Sequence, residues 1–114
     1  METPTQDPFL NNFLCEVKSV AIYRNSNNCT IYLTVKNVST KTIFAGRLNL
    51  PEPPLLLLDE FIQVIPAKTP TDQTHYKHRV GNDLQSKLID RYQLLKISNV
   101  NGSAEFVSTK NVQQ

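Results

Sequence analysis

The 114-residue sequence has no tryptophan, one methionine, two histidines, two cysteines and three glycines. Each shortage removes a class of chemistry. Three glycines cannot furnish a phosphate-cradling loop of the Walker or dinucleotide type, which needs glycine wherever the backbone must come close to a phosphate. Two cysteines cannot build a disulfide framework, and neither Cys-x-x-Cys nor His-Glu-x-x-His occurs, so the four ligands of a zinc site have no local source. No Gly-x-Ser-x-Gly elbow is present, and His75 and His78, the only histidines, lie in a polar stretch away from either cysteine. Asp59 and Glu60 are adjacent, so on a strand they would point to opposite faces and could not act as a carboxylate pair. Enzyme activity is therefore not expected, and neither a cofactor nor a metal.

Charge of one sign is also scarce. Twelve Lys and Arg stand against ten Asp and Glu, a formal net charge of +2. Nucleic acid is not demanded by so even a balance, though a local patch is compatible with it. Long apolar runs are absent: "PPLLLL" falls far short of the roughly 20 residues of a membrane span, so no membrane partner is expected. The start, "METPTQDPFLNN", is polar and has no secretory hydrophobic region. A cytoplasmic or nuclear location follows as the expectation. The Asn-x-Ser/Thr triplets at Asn28, Asn37 and Asn101 then stay unmodified, and Cys15 and Cys29 are read as buried thiols, with one strand-to-strand disulfide as the alternative.

What is present is β-forming. Residues 1–12 read as a flexible arm, 13–109 as a single domain and 110–114 as a polar tail. In residues 13–24, "FLCEVKSVAIYR", Cys15 and Val17 alternate with polar neighbours, then the phase slips to Val20 and Ile22, which signals a bulge or a strand buried on both faces at one end. Residues 29–36, "CTIYLTVK", alternate cleanly, with Cys29, Ile31, Leu33 and Val35 on one face. "NVST" reads as the turn of a hairpin whose second strand is 41–50, where Gly46 marks a bulge or a close backbone approach. Residues 55–65 suit a buried strand, or a helix started by Pro54. The polar stretch 66–81 reads as a long loop. Residues 82–93 carry Leu84, Leu88, Ile89 and Tyr92 at helical spacing behind Asn82 as a cap, and predict the one helix. Asn101 and Gly102 between two β-like runs predict a closing hairpin.

The expected fold class is therefore α+β: an antiparallel meander or small barrel of about five or six strands with a helix at 82–93, or alternatively an OB-like barrel. Residues 79–106, with Gly81, Leu84 and Leu88 on the expected helix, then Tyr92 and the strand "LLKISNV", look like the helix-then-strand portion of small proteasome-assembly chaperone subunits. That resemblance implies a partner in assembly, although the family's closing helix has no counterpart here.

Three functional readings follow. The dense apolar block, Leu55, Leu56, Leu57, Leu58, Phe61 and Ile62, points to a non-catalytic protein-interaction module, a small complex subunit, assembly factor or obligate dimer, whose partner is another protein or a second copy. The "HYKHR" cluster offers Tyr76 to stack on a base while Lys77 and Arg79 neutralise phosphates, with Tyr32 on the sheet as a further contact, as in an OB-like single-strand binder. The three triplets and "LTVKNVST" would suit an immunoglobulin-like surface or viral protein, against which the expected helix counts.

Overall fold

The computed structural model describes residues 13–109. The expected arm at 1–12 and tail at 110–114 lie outside them. Seven strands follow one another in the chain: β1 (Phe13–Arg24), β2 (Cys29–Asn37), β3 (Ile43–Leu50), β4 (Phe61–Pro66), β5 (Asp72–Val80), β6 (Asp83–Asn99) and β7 (Glu105–Val107). β1, β2 and β3 form an antiparallel meander, β4 pairs with the start of β1, and β6 pairs with β4. Residues 45–47 of β3 then run parallel to residues 91–93 of β6. That contact closes five strands into a ring, β1-β2-β3-β6-β4 and back to β1, so no free edge is left along this circuit except where pairing is short.

The sequence pattern explains the ring. β2 places Cys29, Ile31, Leu33 and Val35 inside and Thr30, Tyr32, Thr34 and Lys36 outside, as period-2 alternation dictates. In β1 the inward set switches at Lys18, an extra residue opposite the step from Val35 to Thr34, so the phase slip is a bulge. Leu48 and Leu50 from β3, Ile62 and Val64 from β4, and Leu94 and Ile97 from β6 complete the interior. Burying each such side chain is worth about 1.5–3 kcal/mol.

The turns also have local causes. Asn37 accepts bonds at its Oδ1 from the amides of Ser39 (2.9 Å) and Thr40 (3.1 Å), and its carbonyl accepts from Lys41 N (2.8 Å), so the β2–β3 hairpin is closed by an Asx-type turn. Asn99 does the same at the end of β6, where its Oδ1 accepts from Ala104 N (3.1 Å) and its carbonyl from Gly102 N (3.0 Å). The hairpin signalled by Asn101 and Gly102 is the one formed by β6 and β7.

The expected α+β class is overturned. The described residues hold no helix; residues 83–93 belong to β6, Asn82 to the turn before it, and the fold is all-β. The polar stretch 66–81 is largely strand as well, because β5 pairs with β6 from Asp72 opposite Arg91 to Val80 opposite Asp83. A two-residue turn joins them, with positive φ at Gly81 (62°) and not at Asn82, the pattern of a type II′ turn. Helical spacing misleads here because Leu84 and Leu88 are an even number apart and share a strand face as readily as a helix face. The segment that resembles the assembly chaperones thus lacks the helix that defined the likeness. Among the described residues no helix is long and apolar enough to cross a membrane.

Within residues 55–65 only the second part is strand. Leu55 to Glu60 form a loop whose end docks on the bulge: Asp59 N donates to Val17 O (2.7 Å) and Val17 N to Glu60 O (2.9 Å).

Candidate nucleic-acid interface

β6 is 17 residues long, and its two halves do different work. The second half closes the ring. The first half rises beyond it with β5 as a two-stranded hairpin. Where the hairpin leaves the barrel, a groove of about 460 Å³ is lined by Tyr23 and Ser19 from β1, Tyr32 and Thr34 from β2, and Thr74, His75 and Arg91 from the hairpin's base.

The groove floor is set by cross-strand register. Ala21 lies opposite Tyr32, and Tyr32 opposite Arg47, so these side chains share the outer face of the meander. Tyr23 meets Tyr32 edge-on, with centroids 5.4 Å apart at 72°. Arg91 lies over the Tyr32 ring, 5.2 Å from its centroid, and its Nη1 donates to Asp72 Oδ2 at 3.0 Å. Arg91 Nε is buried without a hydrogen-bond partner among the described residues. The guanidinium is therefore held in one plane by an aromatic ring and a carboxylate while part of its donor capacity goes unused.

The hairpin carries this surface outward. Residues Asp72, Thr74, Tyr76 and His78 of β5 share a face with Arg91, Ile89, Lys87 and Gln85 of β6, each opposite its partner in that order. Tyr76 and His78 stack at 5.3 Å and 8°, and His78 Nδ1 is a second buried polar atom without a partner among the described residues. The opposite face of the hairpin bears His75, Lys77 and Arg79, facing Leu88, Ser86 and Leu84.

The residues singled out in the sequence are thus distributed. Tyr32 lies in the groove and Tyr76 on the hairpin face continuous with Arg91. Lys77 and Arg79 stand on the other face of the hairpin from Tyr76, since neighbours in a strand alternate. Tyr23, Arg91, Arg47, Lys87 and His78 complete the aromatic and cationic surface and were not identified from sequence. The type II′ signal of Gly81 and Asn82, which turns 72–91 into a hairpin, would have found Arg91, Lys87 and His78 but not Tyr23 and Arg47, which lie on β1 and β3.

The apolar block is divided too. Ile62 is 2% exposed and part of the core, and Leu56 packs half-buried against it. Leu55, Leu57 and Leu58 are 81%, 58% and 63% exposed, and Phe61 49%. Their loop is pinned by a short bond from Leu57 N to Glu60 Oε1 and by Lys18 Nζ to Asp59 at 3.6 Å.

A second hollow, lined by Phe13, Ile43, Phe44, Pro66 and Tyr92, is apolar and offers one cation, Lys68, against one anion, Asp90, so it has no preference for a polyanion. Among the described residues no three His, Cys, Asp or Glu gather as a metal site. Cys15 and Cys29 are both free and buried. Cys15 pairs across from Asn37, eight residues along β2 from Cys29, or about 26 Å, which excludes a disulfide between them. No family model, curated protein or solved structure matches the chain.

Proposed function

We propose that the protein binds single-stranded nucleic acid, without catalysis, in the groove between the barrel and the β5–β6 hairpin. The observation that carries this reading is Arg91 seated on Tyr32 in a groove walled by Tyr23 and continued by Tyr76 and His78. Aromatic rings and guanidinium planes provide stacking surface for splayed bases, and cations beside them meet the phosphates. Because Arg91 already covers a face of Tyr32, the surfaces offered to bases are the ring of Tyr23 and the plane of Arg91, with Tyr32 as the support beneath. Arg47, opposite Tyr32 on β3, and Lys87, opposite Tyr76 on the hairpin, are placed for phosphates.

Fluorescence anisotropy with labelled single-stranded DNA and RNA oligonucleotides tests this. Saturable binding is expected, stronger than to duplex and weakening with salt at a slope of about −0.7 per phosphate contact. Tyr23→Ala and Arg91→Ala should each weaken binding about 5- to 100-fold, the range of a lost base stack. Flat titrations of the wild type at low salt would remove the reading.

A second reading rests on a separate observation, the exposed Leu55, Leu57, Leu58 and Phe61 on a pinned loop. On it the protein is a small subunit of a complex or a dimer, and the loop meets another protein or a second copy. Light scattering across a concentration series tests self-association, which Leu57→Asp with Leu58→Asp should abolish.

A further inference from the structure

β5 is the outermost strand of the sheet: across its nine residues, Asp72–Val80, it pairs with β6 on one side, and no other described strand pairs with it on the second. In an antiparallel pair alternate residues direct both N–H and C=O away from the partner, so this edge offers a row of unpaired peptide groups. Nine residues exceed the usual five or six of a strand, and they form an extended template.

The side chains along the edge say what such a template accepts. His75, Lys77 and Arg79 occupy every second position on one face, and Lys77 and Arg79 make no ion pair among the described residues. Beside them on β6 the exposed Leu84 and Leu88 form a parallel apolar row. A second copy of this strand would set cation against cation, and repulsion between directly opposed like charges disfavours that pairing. A strand with carboxylates at alternate positions meets the same spacing with attraction.

We propose that the free edge of β5 takes up an added β-strand from a partner protein, an extended segment with Asp or Glu at every second position opposite His75, Lys77 and Arg79. The intervening side chains of that strand fall on the other face, beside Thr74, Tyr76 and His78. The main-chain ladder provides the attachment and the alternating charge selects the segment. A nucleic-acid strand would satisfy the cations but neither the peptide groups nor the leucine row. This surface meets the groove at His75 and extends away from it, since Lys77 and Arg79 are not among the groove's lining residues.

The test uses the full chain and a fluorescein-labelled, acetylated decapeptide of alternating Glu and Val, read by anisotropy at low salt. Saturable binding is expected. Methylating the backbone nitrogens of two central Glu residues, whose amides face β5 when Glu lies opposite Lys77 and Arg79, removes ladder donors while keeping the charge and should weaken binding at least tenfold. Lys77→Glu with Arg79→Glu should weaken the Glu–Val peptide at least tenfold and admit a Lys–Val peptide that the wild type rejects. That gain also shows that the variant is folded. Arg91→Ala should leave peptide binding unchanged, which separates the peptide's determinants from those of the oligonucleotide. The proposal is overturned by absent binding of the Glu–Val peptide to the wild type, or by equal binding of its N-methylated version. It is likewise overturned if Lys77→Glu with Arg79→Glu abolishes oligonucleotide binding and leaves the peptide unaffected.

Discussion

The Cδ1 of Leu94 lies 2.5 Å from the point that a β-carbon on Gly46 would occupy, and its Cγ 2.6 Å. Gly46 sits on the inward face of β3, opposite Leu33, at the parallel contact with β6 that closes the ring. The missing side chain of one residue is the space filled by the other.

Gly46→Ala should therefore destabilise the protein by about 1–3 kcal/mol, the range for overpacking a tight core. Urea unfolding would show it as a lower midpoint with an unchanged slope. Leu94→Ala alone should cost about 2–5 kcal/mol through its cavity. The double variant should lose clearly less than the two changes summed, since the clash needs both side chains. Simple additivity would show that the contact is not the cause.

Neighbours in the apolar block should behave in opposite ways. Ile62→Ala removes a core side chain and should cost about 2–5 kcal/mol. Leu58→Ala changes a side chain that is mostly in water and should stay within about 0.5 kcal/mol. Thermal unfolding of the two variants checks the contrast. An equal loss from both would mean that the 51–60 loop is folded onto the barrel more tightly than its exposure implies.

Burial pushes the Cys15 thiol up from its ordinary 9.0 to about 12. The unfolded chain loses this proton near pH 9 while the folded one keeps it. The stability that Cys15 contributes is thus fully present below about pH 9 and is lost as pH rises from there towards 12. Cys15→Val removes the titration while nearly keeping the volume. Relative to this variant, the wild type should lose up to about 2 kcal/mol between pH 8 and pH 10.5. Urea unfolding at the two pH values measures the difference, and a gap that does not move with pH would contradict it.

Local pattern was a reliable guide where a strand has one wet and one dry face. In β2 each buried residue is flanked by half-buried ones, so alternation reports the interior directly. The bulge at Lys18 was visible for the same reason: an inserted residue must shift the phase of every side chain after it. Gly46 read as a bulge or a close backbone approach; β3 runs in unbroken register there, and what approaches is the side chain of Leu94. The hairpin of β5 and β6 was illegible by those rules. Its strands are wet on most sides, so "DQTHYKHRV" shows no apolar alternation and reads as loop, while Leu84 and Leu88 satisfy a helix as well as a strand.

The candidate site divides along the same line. Tyr32 and Tyr76 stood out as rings among polar neighbours, but Arg91 is an unremarkable arginine until β6 is known to cross from the hairpin into the ring and set it over Tyr32. Sequence by itself determined the meander, its inward faces, its turns and the thiols' burial, because those follow from side chains three or fewer positions apart and from water's exclusion of apolar groups. Tertiary structure alone decided the ring closure, the hairpin and the groove. Those depend on pairing between segments such as residues 45–47 and 91–93, whose hydrogen bonds are made by backbone atoms that every residue type shares.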